Sequence, residues 1–344
     1  MVLKSQAATA TRDDRENAKV PKSSKAAKAS ENGKRATNGT STRGAKDARP
    51  LKTKTKTDRK ANANAKAKAK VQRLSMAKRA DRYDLYLKSV QAPDVDVGFF
   101  QRVYKAAFGR PAEILREDFC GTAAVCCEWV KARRTAEAYG VDIDPEPLAW
   151  GREHNLSSLS ATQVERVHLV EGDVRAAVTP KADIVAAQNF SYMFFKTREM
   201  LRGYFRSALA QLASDGVLIL DLYGGYESLE DDREEVTEHE GFDYVWEQAS
   251  FDPITHDADC HIHFRFPDGS ELRRAFSYHW RLWTIPEVRE LVLEAGFPEA
   301  EVYWESTDRA TGEGSGIYRR AERGESDPAW NAYIIGYKGQ RVKR

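Results

Sequence analysis

The feature that most constrains this chain is where its core-forming residues lie. All 14 Phe, 14 Tyr and 7 Trp fall after position 80 of 344. A segment without aromatics, built mainly from Ala, Lys, Thr, Ser, Asn and Arg, cannot bury enough apolar surface to offset its ordering entropy. Charge divides at the same place. Residues 1–80 carry 23 Lys+Arg against 6 Asp+Glu, a net of +17, so the formal total of +2 leaves −15 for residues 81–344. The chain therefore divides into a disordered basic tail, 1–80, and one folded acidic domain, 81–344.

Several classes are excluded on the same grounds. No apolar run approaches the ~18–20 residues of a membrane span. The N-terminus lacks the apolar stretch of a secretory signal, and Asp13, Asp14 and Glu16 are out of place in a mitochondrial leader. Cys120, Cys126, Cys127 and Cys260 form neither a disulfide framework nor a C-x-x-C zinc pair, so a reducing cytoplasm is the expected location and no metal is expected. Repeats such as KTKTKT at 52–57 and AKAKAK at 65–70 suit a solvated extension, or a polyanion or RNA tether reaching roughly 50 Å.

Beyond Asp81 two helical patterns, the second ending at Gly109-Arg110-Pro111, precede an alternation of strands and helices. Strands are expected at 112–115, 138–142, 167–171, 184–188 and 217–222, with helices at 122–134, 146–156 and 198–213. That order belongs to a parallel sheet with crossover helices, whose ligands sit at the carboxyl ends of the strands. From 223 to 283 the pattern becomes period two, with Cys260, Ile262, Phe264 and Phe266 opposite His261, His263 and Arg265. About three antiparallel strands are expected in this insert, as a lid on the substrate side. A helix from Ile285, capped by Thr284, and strands at 300–305 and 332–337 complete the domain; TGEGSG at 311–316 is expected to be a flexible loop.

The first strand runs into Arg116-Glu117-Asp118-Phe119-Cys120-Gly121-Thr122-Ala123, where a helix begins. A strand, tight turn and helix N-terminus make a nucleotide-type pocket. With Gly121 alone, the turn lacks the G-x-G-x-x-G needed to approach a pyrophosphate, which excludes a dinucleotide and favours a cofactor with a compact amino-acid end. Its backbone is expected to avoid positive φ at Phe119 and Ala123. Asp142, at the tip of the second strand, suits a ribose diol; Asp173, at the tip of the third, suits an adenine edge. Asp144, before Pro145, is expected to cap a helix. Whether Glu117 or Asp118 faces the pocket is open, since neighbours in a strand point to opposite faces. Arg116 has two roles open to it, pairing with a cofactor carboxylate or with a nearby acid.

The series ILREDFCGTA, GVDIDPEPLA, EGDV, ADIVAAQNFSY and DGVLILDLY resembles the ordered motifs of class I S-adenosylmethionine-dependent methyltransferases, over roughly residues 81–344, and is closest to a bacterial group without an assigned substrate. The resemblance implies an α/β, Rossmann-like fold with a seven-stranded, mostly parallel sheet in the order 3-2-1-4-5-7-6. It also implies S-adenosylmethionine as cofactor, with Glu117, Cys120, Gly121, Thr122, Asp142, Ile143, Asp173, Val174 and Gln188 around it.

The fourth strand's end, Gln188-Asn189-Phe190-Ser191-Tyr192, keeps the Asn…Tyr spacing of the amino-group enzymes' D/N-P-P-Y/F tetrapeptide without its prolines. Asn189 and Tyr192 are therefore the candidates to meet the methyl acceptor. Tyr192, Tyr223 and the insert histidines are the candidate proton acceptors, required only if the nucleophile is protonated. The expected function is in-line methyl transfer to a small molecule or accessible macromolecular group, with a tail-anchored RNA enzyme or a non-catalytic module as alternatives.

Overall fold

The computed structural model describes residues 74–307 and 314–342. Expectations for the tail up to residue 73, polyanion or RNA binding included, lie outside the described residues, as do residues 308–313 of the glycine-rich stretch. The first helix, α1 (Met76–Arg79), precedes the boundary expected at 80/81. Among the described residues no helix is long and apolar enough to cross a membrane.

Two further helices, α2 (Arg82–Ser89) and α3 (Pro93–Phe108), lead to the first strand. Asp81 caps α2 by accepting the Tyr83 and Asp84 amides, and Gly109, at φ 74°, ends α3. The alternating region follows as β1 (Ile114–Asp118), α4 (Ala124–Ala132), β2 (Glu137–Asp142), α5 (Pro145–His154), α6 (Ala161–Val164), β3 (Val167–Glu171), β4 (Ala182–Ala187), α7 (Arg198–Gln211) and β5 (Leu212–Gly224). The insert is β6 (Arg233–His239), β7 (Phe242–Phe251), β8 (Asp257–Arg265) and β9 (Glu271–Arg281). Then come α8 (Ile285–Glu294), β10 (Glu299–Thr307), β11 (Gly314–Ala321) and β12 (Trp330–Tyr337).

The large sheet has the order β3-β2-β1-β4-β5-β12-β10-β11, parallel from β3 to β5 and antiparallel across β5–β12, β12–β10 and β10–β11. This is the expected seven-strand order with an eighth strand at one edge. The extra strand, β11, takes up residues from Gly314 onward that were expected to loop; its exposed, charge-rich sequence is ordered by pairing with β10 and lacks an apolar period. β6 was missed for the same reason, because REEVTEH on an edge has one apolar residue, so the insert has four strands and not three. β1 lies further along than 112–115, since Arg116, Glu117 and Asp118 are inside the sheet. Charged residues read as a strand's end when they are in fact paired within it.

Two apolar layers cover the large sheet. One joins α7 and α8 to the even-numbered face of β7 and β8; the other packs α3 and α4 on the opposite side. β4, buried at every position, is the centre that both layers share.

Candidate functional site

β1 delivers three charged side chains to the strand tips, alternating between faces. Arg116 and Asp118 share one face: the guanidinium donates to Asp118 Oδ1 at 2.7 Å and to the Val174 and Ala177 carbonyls at 2.6 and 2.8 Å. Arg116 therefore pairs with a nearby acid and ties the segment after β3 to β1. Asp118 also accepts the Tyr204 hydroxyl at 3.0 Å. Burial pushes its carboxyl up to about 6 against the opposing pull of Arg116 and Tyr204.

Glu117 points the other way, beneath the start of α4, where Oε2 accepts the Cys126 amide at 3.1 Å and thiol at 2.9 Å. Burial pushes its carboxyl up to about 8, partly offset by the Cys126 bonds and reinforced by Asp96 and Asp142. Among the described residues it has no cationic partner. An almost fully buried acid without a counter-charge is costly when ionised.

The turn from β1 into α4 departs from expectation. Phe119 and Ala123 adopt left-handed φ of 58° and 59°, as does Gly121 at 53°. Such a conformation costs a residue with a Cβ about 1–2 kcal/mol. It is held by backbone bonds, Cys120 N–H to the Val141 carbonyl at 3.0 Å and Ala123 N–H to the Cys120 carbonyl at 2.8 Å, and by the Asp142 carboxylate, which accepts the Gly121 amide at 2.7 Å. A side chain at Gly121 would project into open space, whereas one at Gly151 would come within 2.3 Å of the Thr122 carbonyl, so α5 packs directly behind the turn. Cys120 and Thr122 are buried in it.

Asp142 is half-buried and accepts the Gly121 and Asp144 amides, one on each oxygen. Burial raises its pKa against those bonds. Ile143 beside it is 69% exposed, an apolar side chain left uncovered at the strand tip. Asp144 caps α5 through the Glu146 amide, as expected. Asp173 is engaged by Arg175, with guanidinium contacts of 2.5–3.1 Å that hold its carboxyl below the usual range. Val174 is buried in the core, with its carbonyl on Arg116.

The segment after β4 repeats the strained geometry, with Asn189 and Phe190 at φ 56° and 59°. Asp221 on β5, only 2% exposed, holds it by accepting both amides, at 2.7 and 2.9 Å, while its carbonyl takes the Tyr192 hydroxyl at 2.8 Å. Tyr192 is fully buried, and burial pushes its hydroxyl well up. That place does not fit the expectation that Tyr192 meets the acceptor or takes a proton; it anchors the loop. Gln188 is buried, with its carbonyl bonded by Ser191. Asn189 is half-buried, and among the described residues its side-chain amide has no hydrogen-bond partner. Asp221 was missed from sequence; its one signal was a lone acid within the apolar run VLILDLY.

Of the insert histidines, His261 and His263 are not placed as proton acceptors for this site. His261 and His263 lie on the face of β8 opposite Cys260, paired with β7 and β9. His263, 1% exposed, bonds Glu247 at 2.8 Å and accepts the Arg274 amide at 3.0 Å; His261 bonds Ser277 at 2.9 Å. Both are buried and held by these bonds. Among the described residues no group of three or more His, Cys, Asp or Glu is arranged to hold a metal ion.

No protein-family model and no curated protein matches the sequence. Solved structures do. The CcbJ methyltransferase of Streptomyces caelestis superposes with a TM-score of 0.52 at 14% identity, over 72% of this chain and 91% of that one. CalS10 of Micromonospora echinaspora, an amino pentose methyltransferase solved with S-adenosylmethionine bound, gives 0.53 at 17%, over 75% and 97%. DesVI of Streptomyces venezuelae gives 0.52 at 18%, over 75% and 97%. At these identities the likeness shows the fold.

Proposed function

We propose that this chain, which has the fold of the class I S-adenosylmethionine-dependent methyltransferases, is an enzyme of that kind acting on a small-molecule acceptor. The observation that carries the proposal is Glu117, an almost fully buried acid without a counter-cation, beside a turn whose Gly121 opens onto free space. A ligand bearing an ammonium group would restore that charge balance, and the amino-acid end of S-adenosylmethionine is such a ligand. Asp142 retains lone pairs for a ribose diol beyond the two amides it accepts, and the exposed Ile143 would cover an adenine face. Asp173 is the least available of the expected contacts, because Arg175 already pairs with it.

Held by Glu117 and Asp142, the cofactor would supply an electrophilic methyl on a sulfonium, whose carbon–sulfur bonding pair would remain on sulfur as the acceptor took the methyl. The chain's own part is alignment, worth ~7–11 kcal/mol of such a barrier when well executed. Asp221 fixes the backbone that presents the Asn189 amide. The insert is docked on the same segment through the Trp283 indole, donating to the Phe195 carbonyl at 3.2 Å, and Arg281, donating to the Lys196 carbonyl at 3.1 Å. This docking supports an insert that covers the acceptor.

Calorimetry of the full chain with S-adenosylhomocysteine tests the proposal. Binding that weakens in Asp142→Ala is expected; no binding to the unaltered chain overturns it.

A further inference from the structure

The inner face of the insert carries an anomaly that the cofactor site does not use. Tyr244 and Trp246 are each 2% exposed, yet among the described residues the Tyr244 hydroxyl and the Trp246 indole N–H are buried without a hydrogen-bond partner. The Tyr223 hydroxyl, from the end of β5 and beside Tyr244, has no partner stronger than the Cys260 thiol, a weak acceptor. A buried polar group left unbonded costs about 1–3 kcal/mol. Two in one cluster, with a third so weakly bonded beside them, indicate groups kept for something else.

The cluster adjoins the segment that presents Asn189. Phe190 lies 4.7 Å from Tyr223 and 6.1 Å from Trp280 between ring centroids; Trp280 in turn lies 6.0 Å from Trp246 and stacks on Tyr278 at 4.4 Å. The side chains are flat, and their unused polar atoms are donors. Among the described residues of β7 no acid joins them: Asp243 and Glu247 occupy the alternate positions, on the other face, with Glu247 taken by His263. An ammonium-bearing acceptor would want a carboxylate here, whereas a flat ring carrying oxygens would accept from the three donors and stack between the aromatics.

We infer that this cluster, Tyr223, Tyr244, Trp246 and Trp280, is the acceptor subsite, and that it selects a neutral aromatic ring bearing hydroxyl or carbonyl oxygens. The inference rests on the methyltransferase reading for the word acceptor; the ligand chemistry follows from the cluster.

Catechol serves as the probe, with toluene as the ring without oxygens and choline as the cation, each titrated by calorimetry into the full chain without cofactor. Catechol is expected to bind, and toluene and choline at least tenfold more weakly. Tyr244→Phe and Tyr223→Phe keep the rings and remove one hydroxyl without a partner and one with only the Cys260 thiol. Each is expected to raise the melting temperature by about 2–4 °C while weakening catechol about tenfold. A fall in melting temperature in both variants would mean that the hydroxyls already have partners, and would overturn the inference; so would catechol binding that neither variant changes, or choline binding as tightly as catechol. Loss of S-adenosylhomocysteine binding with catechol binding intact would remove the methyltransferase reading alone.

Discussion

Asp142 and Asp221 do the same mechanical job at two strand ends with different consequences. Each belongs to the strand next to a strained turn, and each accepts turn amides: Asp142 takes Gly121, Asp221 takes Asn189 and Phe190. Asp221 is 2% exposed and spends both oxygens on its loop, while Asp142 is half-buried and its second oxygen accepts the Asp144 amide, two residues along its own chain. One carboxylate is a structural clamp. The other holds its turn from a half-buried position at the strand tip, where the proposed cofactor would meet it.

The sharpest test of that contrast removes the clamp. Asp221→Ala leaves one buried and one part-buried amide, on a left-handed Asn-Phe pair, without an acceptor, and is expected to cost about 3–5 kcal/mol in urea denaturation. Asp142→Ala, whose freed amides can reach water, is expected to cost about 1–2 kcal/mol. Equal losses would break the comparison.

Glu117→Gln should cost roughly 10–100-fold in S-adenosylhomocysteine affinity, about 1.4–2.8 kcal/mol. Its effect on stability has the opposite sign. Folding raises the Glu117 carboxyl from 4.5 to about 8, so the folded state binds the extra proton between those values. The contribution is fully present below pH 4.5 and is lost as pH rises through 8. Asp118, raised from 3.8 to about 6, adds a slope in the same direction at lower pH. Melting temperatures from pH 6 to 8.5 should therefore fall in the native chain and fall less in Glu117→Gln. The same proton must leave when an ammonium-bearing ligand binds, so calorimetric heats should depend on the buffer's ionisation enthalpy in the native chain and not in the variant.

Asp142→Asn keeps an acceptor for the Gly121 amide and removes the charge; a roughly tenfold weaker cofactor analogue with near-native stability is expected. The smallest effect belongs to the turn itself. Ala123→Gly relieves ~1–2 kcal/mol of left-handed strain and adds ~0.5–1 kcal/mol of unfolded-state entropy, so a gain of up to about 1 kcal/mol is expected. A loss would show that the buried Ala123 methyl contributes more than its backbone costs.

Much of this was legible in the residues. The alternation from 112 to 222 carries the parallel sheet, the caps at Asp144 and Thr284 stand where their side chains predict, and the acids of the strand tips are visible as acids. What failed did so for identifiable causes. Edge strands β6 and β11 have no buried face and hence no apolar period. β1 was placed early because three consecutive charges look like a strand's end. The glycine-poor turn was expected to avoid left-handed backbone, yet Phe119 and Ala123 adopt it, because bonds from β2 and Asp142 outweigh a local preference of 1–2 kcal/mol.

The sequence by itself determined the alternation of strands and helices between 112 and 222 and the helix caps at Asp144 and Thr284. Only the tertiary structure decided which acids are already used and which remain available. Asp118 is taken by Arg116 and by Tyr204, 86 residues away; Asp221 is taken by a loop about 30 residues before it; among the described residues Glu117 has no cationic partner, and Asp142 accepts only backbone amides. Periodicity reports which face a residue occupies in its own element. Partners brought together from distant parts of the chain leave no trace in it, and it is those partners that set a carboxylate's charge and purpose.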